Sequence, residues 1–319
     1  MRDLFDGAIW PLGRKLDPKP ERASERRTPD WVQANPRFIE RATEHAMARS
    51  GGGWVAIAAS RAVTGTPRRR RILDADWVVY RQPSGAVVVA PNACPHMGAA
   101  LHTAKVVDGR LVCPWHGLSL GAECRGSYTP KPTHDDGALV WAQMLSDETL
   151  GDPPAFDRPS RAVAAVIEEE ARCEPRDVVS NRLDPWHGPH YHPHSFARLD
   201  VLDATLERLL VRVAFRVVGP LCVEVDCIFF APTPRSVVMK IVEGEGAGSV
   251  VETHATPIAP GRTGILELTL ATSDRPGFAI ARRLQPIVKA FIRRRASRLW
   301  AEDAVYAERR YALRQGAKT

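Results

Sequence analysis

The sequence predicts an α+β fold, in which an N-terminal all-β domain precedes an antiparallel sheet closed by one long C-terminal helix. Its 319 residues exceed the length that one hydrophobic core usually serves, so two domains are expected. Short β-rich runs recur in the first half, and a second set recurs in the later half. A helical periodicity then occupies the C-terminus.

Residues 1–51 are predicted to form an arm that packs on the second domain. A helical pattern runs from Trp31 to Ala48, and three consecutive glycines at 51–53 end it. The apolar stripe of this pattern consists of Trp31, Phe38, Ile39 and Ala42.

Residues 52–146 are predicted to form the first domain, a small antiparallel barrel. Gly, Pro, Asn and Asp separate its short strands, as is typical of such barrels. The predicted strands begin at Trp54, Trp77, Ala86, Arg110 and Ala138. A Gly-Asp-Pro-Pro linker starts at Gly151.

Residues 147–319 are predicted to form the second domain. After a mixed segment through Ala171, its β-rich runs cover 206–218, 222–230, 237–242, 250–256 and 264–271. A helical pattern follows from Phe278 to about Arg314, with Pro286 as a boundary or kink. The predicted inward stripe of this helix comprises Ile280, Leu284, Ile287, Val288, Phe291, Ile292, Leu299 and Trp300.

Two cysteine–histidine pairs are the most informative feature of the sequence. Cys94-Pro-His96 and Cys113-Pro-Trp-His116 lie sixteen residues apart, and each pair offers one thiolate and one imidazole. Two such pairs can hold a [2Fe–2S] cluster, with both cysteines on one iron and both histidines on the other, which is the Rieske arrangement. Both pairs fall in loops at predicted strand ends, where side chains can converge on a metal.

Zinc binding and plain packing are the alternative interpretations of these four residues. A Cys₂His₂ set also binds zinc, but zinc fingers pair Cys-x₂₋₄-Cys with His-x₃₋₅-His rather than mixing the two residue types within each pair. A zinc protein would be colourless, whereas a Rieske cluster is coloured.

The stretch from Cys94 to Gly117 resembles the Rieske domain of Rieske-type non-haem iron oxygenases. Respiratory Rieske proteins carry an extra cysteine in each loop, and here Met97 and Trp115 stand at those places. The resemblance therefore favours the oxygenase and ferredoxin branch. It implies a terminal oxygenase component of the short, monooxygenase- and demethylase-like kind, with a helix-grip-like second domain.

A second candidate metal segment reads Asn181-x₂-Asp184-x₂-His187-x₄-His192. Non-haem Fe(II) in oxygenases is commonly held by two histidines and one carboxylate. The segment resembles the catalytic-domain signature of the same family. That resemblance implies His187 and His192 as iron ligands and assigns catalytic roles to Asn181 and Asp184, with Asp184 as a bridge to a Rieske histidine of a neighbouring subunit.

Other interpretations of this segment stay open. Its four histidines could form a surface tract that binds metal loosely, and two prolines restrict any helix here. His190 is the runner-up ligand.

Asp303 is the predicted third ligand. Continuing the helical period from Leu299 and Trp300 by three or four residues places Asp303 on the buried face and Glu302 about 100° away from it. A carboxylate on an apolar stripe needs a cation or a hydrogen-bond partner. A salt bridge to an arginine is the alternative, and Glu302 is the reserve ligand.

The sequence also bears on the cellular compartment of the protein. No run of about 18 apolar residues occurs, so no transmembrane helix is expected. The first residues do not resemble a secretory signal. Six cysteines show no disulfide-framework spacing, which favours a reducing cytoplasm.

The net charge of +7 comes largely from arginine clusters at 68–71 and 293–295. We interpret these clusters as solvated surface, with docking of an acidic electron-transfer partner as the functional alternative. No motif supports nucleic-acid binding. The basic C-terminal helix could also touch an anionic membrane surface.

The resemblance implies the cofactors and partners: a Rieske [2Fe–2S] cluster, a mononuclear Fe(II), O₂, a separate reductase or ferredoxin, and a head-to-tail homotrimer. No Gly-x-Gly-x-x-Gly nucleotide motif after a strand appears in the chain itself. The alternative is a Rieske electron-transfer protein without oxygenase activity. An apolar pocket for a hydrophobic small molecule is predicted from Leu209, Val211, Phe215, Ile228, Phe229 and Phe230.

Overall fold

The computed structural model describes residues 30–218 and 221–317. Residues 1–29 of the predicted arm lie outside this range. The remainder of the arm forms α1 (Asp30–Gln33) and α2 (Pro36–Met47), and the Asn35 side chain accepts a hydrogen bond from the Phe38 amide at 3.1 Å to cap α2. The predicted stripe is wrong at Trp31, which is 73% exposed, because the break before Pro36 changes the helical phase.

Helix α2 packs on the second half of the chain through a small apolar cluster. Ala42 and Ala46 of α2 contact Val179, Leu183 and Ala231 there. The described part of the arm therefore lies against the elements that carry the second metal segment.

Nine short strands build the first half of the chain as three antiparallel three-stranded sheets, ordered β1-β9-β8, β2-β3-β4 and β5-β6-β7. The strands are β1 (Trp54–Ala59), β2 (Arg68–Ile72), β3 (Ala75–Arg81), β4 (Val87–Pro91), β5 (Lys105–Val107), β6 (Arg110–Val112), β7 (Ser119–Leu120), β8 (Thr133–Asp135) and β9 (Leu139–Gln143). The arginine cluster at 68–71, interpreted as solvated surface with partner docking as the alternative, forms most of the edge strand β2. Charged side chains on an edge strand disfavour pairing with another chain.

Seven strands form one antiparallel sheet in the second half, in the order β10-β16-β15-β14-β13-β12-β11. They are β10 (Val163–Ala171), β11 (Phe196–Ala204), β12 (Leu209–Val218), β13 (Leu221–Thr233), β14 (Ser236–Gly244), β15 (Val250–Ala259) and β16 (Arg262–Ala271). The prediction missed β10 and β11. Three consecutive glutamates in β10 and mixed polarity in β11 obscure the alternation that marks a strand.

Four helices accompany this sheet: α3 (Pro175–Arg182), α4 (Gly188–Tyr191), α5 (Phe278–Arg283) and α6 (Gln285–Arg314). The break between α5 and α6 falls at Leu284, and Pro286 occupies the first turn of α6, where its missing N–H is not needed. Helix α6 crosses β10 and packs against α3. None of the described helices combines the length and apolar character needed to span a membrane.

The predicted inward stripe of the C-terminal helix is wrong in its first half. Ile280, Leu284, Ile287 and Phe291 are 61%, 48%, 67% and 50% exposed. Burial of α6 begins at Ala296. Helical period identifies which residues share a face, but burial requires another element to cover that face, and no described element covers this half.

The residues predicted to line one apolar pocket lie on both faces of the sheet. Phe229 belongs to the buried cluster on one face of the sheet, while Phe230 packs against a cluster on the opposite face. Adjacent residues of a strand point to opposite faces, so a run of apolar residues cannot line a single pocket.

Candidate metal centres

The two cysteine–histidine loops share one backbone design. The Gly98 amide donates to the Cys94 carbonyl at 2.8 Å, and the Gly117 amide donates to the Cys113 carbonyl at 2.9 Å. Both glycines adopt positive φ, +77° and +69°, a region that side-chain-bearing residues rarely enter. The loops therefore turn tightly in the same way and bring the two pairs together.

The thiols of this site are internal and the imidazoles lie at the surface. Cys94 and Cys113 are only 3% and 2% exposed, and neither forms a disulfide. The rings of His96 and His116 lie edge to face with centroids 4.6 Å apart, and both residues are exposed. Two adjacent thiols with two adjacent imidazoles on their outer side fit a Rieske cluster.

Backbone amides prepare one thiol for metal binding. Burial raises the pKa of Cys94. Burial also opposes ionisation of Cys113, but hydrogen bonds from the backbone amides of Trp115 and His116 outweigh it, and the pKa of Cys113 is lowered. Hydrogen bonds to a thiolate favour its charged form, which is the form that binds metal.

The second candidate centre joins α6 to the segment after α3. The Nε2 atoms of His187 and His192 lie 3.1 Å and 2.9 Å from one carboxylate oxygen, Oδ1 of Asp303. One ligand atom from each residue falls within 4.8 Å of the others. His192 and Asp303 are buried, and His187 is partly exposed. Two imidazoles and one carboxylate in this arrangement can hold a non-haem ferrous ion.

Local structure sets the orientation of these side chains. Asp184 ends the α3 region, and a single 3₁₀ turn, Pro185–His187, leads into α4. The His187 Nδ1 atom faces the backbone carbonyl of Asp184, which directs its Nε2 toward Asp303. The Asn181 side-chain amide donates to Asp303 Oδ1 at 3.0 Å. Asn181 therefore holds the acid rather than occupying a ligand position.

Charge is concentrated at Asp303. Burial on its own raises the pKa of this carboxyl, but hydrogen bonds with His187 and His192 dominate and lower the pKa strongly. Burial on its own lowers the pKa of His192, but its contacts with Asp303 and Glu302 outweigh burial and leave the pKa raised. A carboxylate that stays ionised inside the protein is suited to a cation.

Glu302, the reserve ligand, lies on the other side of the same imidazole. Its carboxylate is 2.5 Å from His192 Nδ1 and 3.0 Å from His194 Nε2. His192, His194 and Glu302 form a second group whose ligand atoms lie within 4.8 Å of one another. His190 belongs to neither group; it is exposed and packs on Trp186, with ring centroids 5.3 Å apart.

Asp184 and Tyr306 form the outer edge of this centre. The Tyr306 hydroxyl donates to Asp184 Oδ2 at 3.0 Å, and the Tyr306 ring stacks on His187 with centroids 5.3 Å apart. Burial raises the pKa of Asp184. The sequence reasoning missed Tyr306 and His194. The position of Tyr306, three residues after Asp303 on the same helix, could have identified it.

Comparison with known proteins places the chain in a family. Residues 145–318, more than half of the chain, match the family described as "Domain of unknown function (DUF5914)". The chain belongs to this DUF5914 family. Residues 53–142 match the Rieske [2Fe-2S] domain. This DUF5914 member thus joins a Rieske domain to the family's own domain within one chain.

Two curated relatives are oxygenase components. The chain is 30% identical over 179 residues to the dicamba O-demethylase oxygenase component of Stenotrophomonas maltophilia, covering 50% of this chain and 51% of that protein. It is 27% identical over 172 residues to a vanillate O-demethylase oxygenase subunit of Pseudomonas sp. (strain HR199 / DSM 7063), covering 47% of each. The chain therefore spans about half the length of the curated relatives it matches.

Among solved structures, dicamba monooxygenase bound to dicamba superposes with a TM-score of 0.63 at 19% identity. The match covers 84% of this chain and 91% of that chain. The predicted fold class and the resemblance to Rieske non-haem iron oxygenases are confirmed. The cofactor prediction is confirmed by the Rieske domain match and by the His/Asp group that could hold an ion.

Proposed function

We propose that this chain is the terminal oxygenase component of a Rieske-type system and oxidises a hydrophobic small molecule. One observation carries the proposal: His187, His192 and Asp303 converge in a chain that also contains a Rieske domain. A protein that only transferred electrons through a Rieske cluster would not need this second set of potential metal ligands.

The cluster and the mononuclear ion would be held by separate sets of residues. Cys94 and Cys113 would hold one iron of the cluster, and His96 and His116 would hold the other. His187, His192 and Asp303 would hold the mononuclear ion. When bound, the cluster supplies single electrons and the ferrous ion supplies an open site for O₂.

The remaining residues of the second centre would position its ligands. Asn181 donates to Asp303, and Glu302 bonds the outer nitrogen of His192. Asp184 would connect the centre to a Rieske histidine of a neighbouring subunit, and Tyr306 holds that carboxylate. Hydrogen-bonded supports of this kind fix the orientation of metal ligands and tune their basicity.

A head-to-tail homotrimer is the proposed assembly, because such a ring brings the cluster of one subunit beside Asp184 of the next. The exposed imidazoles of His96 and His116 are available for such a contact. A separate reductase or ferredoxin is proposed as the electron source, since both curated relatives are named as components or subunits. The six free cysteines support a reducing cytoplasm as the compartment.

The proposed substrate combines an apolar body with an anionic group. The guanidinium of Arg182, next to Asn181, lies 5.9 Å from the ring centroids of Phe229 and Trp300. Its buried Nε atom has no hydrogen-bond partner among the described residues. The buried carboxyl of Glu267 already interacts with Arg182, so the anionic group of the substrate is proposed from the relatives named for vanillate and dicamba, which are aromatic acids.

Iron analysis combined with single-turnover chemistry tests the function. The anaerobically reconstituted protein should contain about three irons per chain, and His187→Ala should retain about two. The reduced wild-type protein should release formaldehyde from a panel of methoxybenzoates and should act less on the matching methoxybenzamides. Hydroxylated products from isoprenoids or steroids would identify a neutral substrate instead. An iron content of about two with no oxygen consumed would leave only the electron-transfer alternative.

A further inference from the structure

The N-terminal half of the long helical region has an apolar face that no described element covers. Ile287 and Phe291 lie four residues apart on one side of α6, while Ile280 lies on α5 and Leu284 at the break between the two helices. All four are at least 48% exposed. Every residue of 278–291 is exposed or intermediate in burial. Four exposed large apolar residues within this short segment, named here the stripe, favour an interaction surface over ordinary solvated surface.

The charges around this stripe have a single sign. From Arg275 to Ala301 the chain has no aspartate or glutamate. The same stretch contains the basic residues Arg275, Arg282, Arg283, Lys289, Arg293, Arg294, Arg295 and Arg298. Arg275 pairs with Glu245, and Arg298 lies 3.7 Å from Glu302. The exposed side chains available to an anionic partner are those of Arg282, Arg283, Arg293 and Arg294.

A positive group from the first domain adds to this region. Burial lowers the pKa of Lys289, and the nearby charges of Arg61 and Arg293 lower it further. Arg61 lies in the 3₁₀ turn after β1, and it is exposed. The cationic surface therefore extends from the helix across the boundary between the two halves of the chain.

We infer that the segment from Phe278 to Arg294 binds the surface of an anionic lipid bilayer, with the stripe inserted at the level of the headgroups. A helix with aliphatic and aromatic residues on one side and arginines and lysines around it is typical of interfacial membrane binding. Pairing of two copies through this same face is disfavoured, because the chain has a net charge of +7 and the two identical basic segments would repel each other. This inference does not depend on the oxygenase chemistry.

Vesicle co-sedimentation of the full chain tests the inference. Wild-type protein should sediment with vesicles of phosphatidylcholine and phosphatidylglycerol and remain in solution with phosphatidylcholine alone. The double change Ile287→Asp and Phe291→Asp should weaken binding to the anionic vesicles by at least about tenfold. High salt should weaken wild-type binding, because anionic headgroups attract the basic residues.

Val305→Asp is the matched control, because Val305 is 57% exposed on the same helix α6 but lies outside the basic stretch. It should bind anionic vesicles as wild type does. All three proteins should show equal thermal stability, since the altered side chains are exposed.

Failure of the wild-type protein to bind anionic vesicles would overturn the inference, as would equal binding to neutral vesicles. A change of oligomeric state in the double variant, measured by analytical ultracentrifugation, would identify a second copy as the occupant and would also overturn it.

Discussion

At the scale of single residues, His192 links two carboxylates. Its Nε2 faces Asp303 and its Nδ1 faces Glu302, which also bonds His194. This is the arrangement in which an outer carboxylate fixes the tautomer of a metal-binding histidine and increases its basicity. We therefore predict a positioning role for Glu302 that is distinct from the ligand role predicted for Asp303.

Glu302→Gln should weaken metal binding at the second centre by about 10- to 100-fold. The amide keeps a hydrogen-bond acceptor but loses the negative charge that stabilises the imidazole. Titration with Co²⁺, followed by its visible spectrum in protein with an intact Rieske cluster, measures the affinity. Glu243→Gln, an exposed change on β14, is the control and should bind as wild type does. A metal affinity of Glu302→Gln equal to that of wild type would contradict the positioning role of Glu302.

Asp184→Ala should abolish turnover while leaving both centres loaded. Asp184 does not belong to the group of potential ligands, but it accepts the Tyr306 hydroxyl and lies beside His187. Iron content and the spectrum of the reduced cluster should match wild type, and product formed per mononuclear iron should fall to background. Tyr306→Phe should give an intermediate loss, because the carboxylate remains but loses one hydrogen bond. Full activity in Asp184→Ala would contradict the bridge between subunits.

At the scale of elements, α6 is the part that assembles the second centre. It supplies Glu302, Asp303 and Tyr306 within two turns, and its C-terminal end is attached to α3 by an ion pair. Arg314 Nη2 lies 2.6 Å from Oδ2 of Asp177, a residue that is 2% exposed. Asn181 of the same helix α3 donates a hydrogen bond to Asp303, so the ion pair helps to fix the relative position of α3 and α6 around the potential ligands.

Arg314→Met should destabilise the fold by about 3–5 kcal/mol, because it leaves the buried carboxylate of Asp177 without a cation. Denaturant-induced unfolding measures the loss. Adding Asp177→Asn should recover part of the stability, since the remaining group is then neutral. Arg309→Met, an exposed change on the same helix, should lie within about 0.5 kcal/mol of wild type. A loss equal to that of the control would show that the ion pair contributes little.

At the scale of the whole molecule, one arginine joins the two halves of the chain. Arg158 forms ion pairs with Asp136 at 2.9 Å and with the fully buried Glu252 at 2.7 Å. Asp136 lies in the turn between β8 and β9 of the first half, and Glu252 belongs to β15 of the second. Burial raises the pKa of both carboxyls, but their bonds with Arg158 outweigh it and leave each pKa lowered.

This network predicts a specific dependence of stability on pH. Because the folded pKa of each carboxyl is lower than its unfolded value, their contribution is complete above about pH 4.5 and is lost as the pH falls through the folded values. Arg158→Met removes the cation from both carboxyls and leaves the buried Glu252 only His254, at 3.2 Å, so burial raises the pKa of Glu252 relative to wild type. The variant should lose about 3–5 kcal/mol at pH 7 and distinctly less at pH 4. Chemical denaturation at both pH values measures this, and an equal loss at the two would contradict the assignment.

Much of the fold could be predicted where local pattern and final environment agree. Five strands of the first half and five of the second follow from β-rich runs, and Pro286 correctly marked a helix boundary. The strand that carries Glu168–Glu170 was missed because its polar residues face solvent beside Arg70, an ion pair that only the tertiary structure creates. Trp31 was wrongly placed inside because a change of helical phase at Pro36 is not visible in the period.

By itself, the sequence predicted the metal chemistry that we propose for this protein. The spacing of Cys94, His96, Cys113 and His116 predicts the cluster ligands within a segment that matches the Rieske domain, and helical period alone places Asp303 on a buried face. Only the tertiary structure decided which nitrogen of His192 faces each carboxylate and which half of the long helix remains uncovered. Spacing along the chain determines which side chains share one face of a helix or strand. Contacts between elements distant in sequence determine whether that face is buried and which groups it contacts.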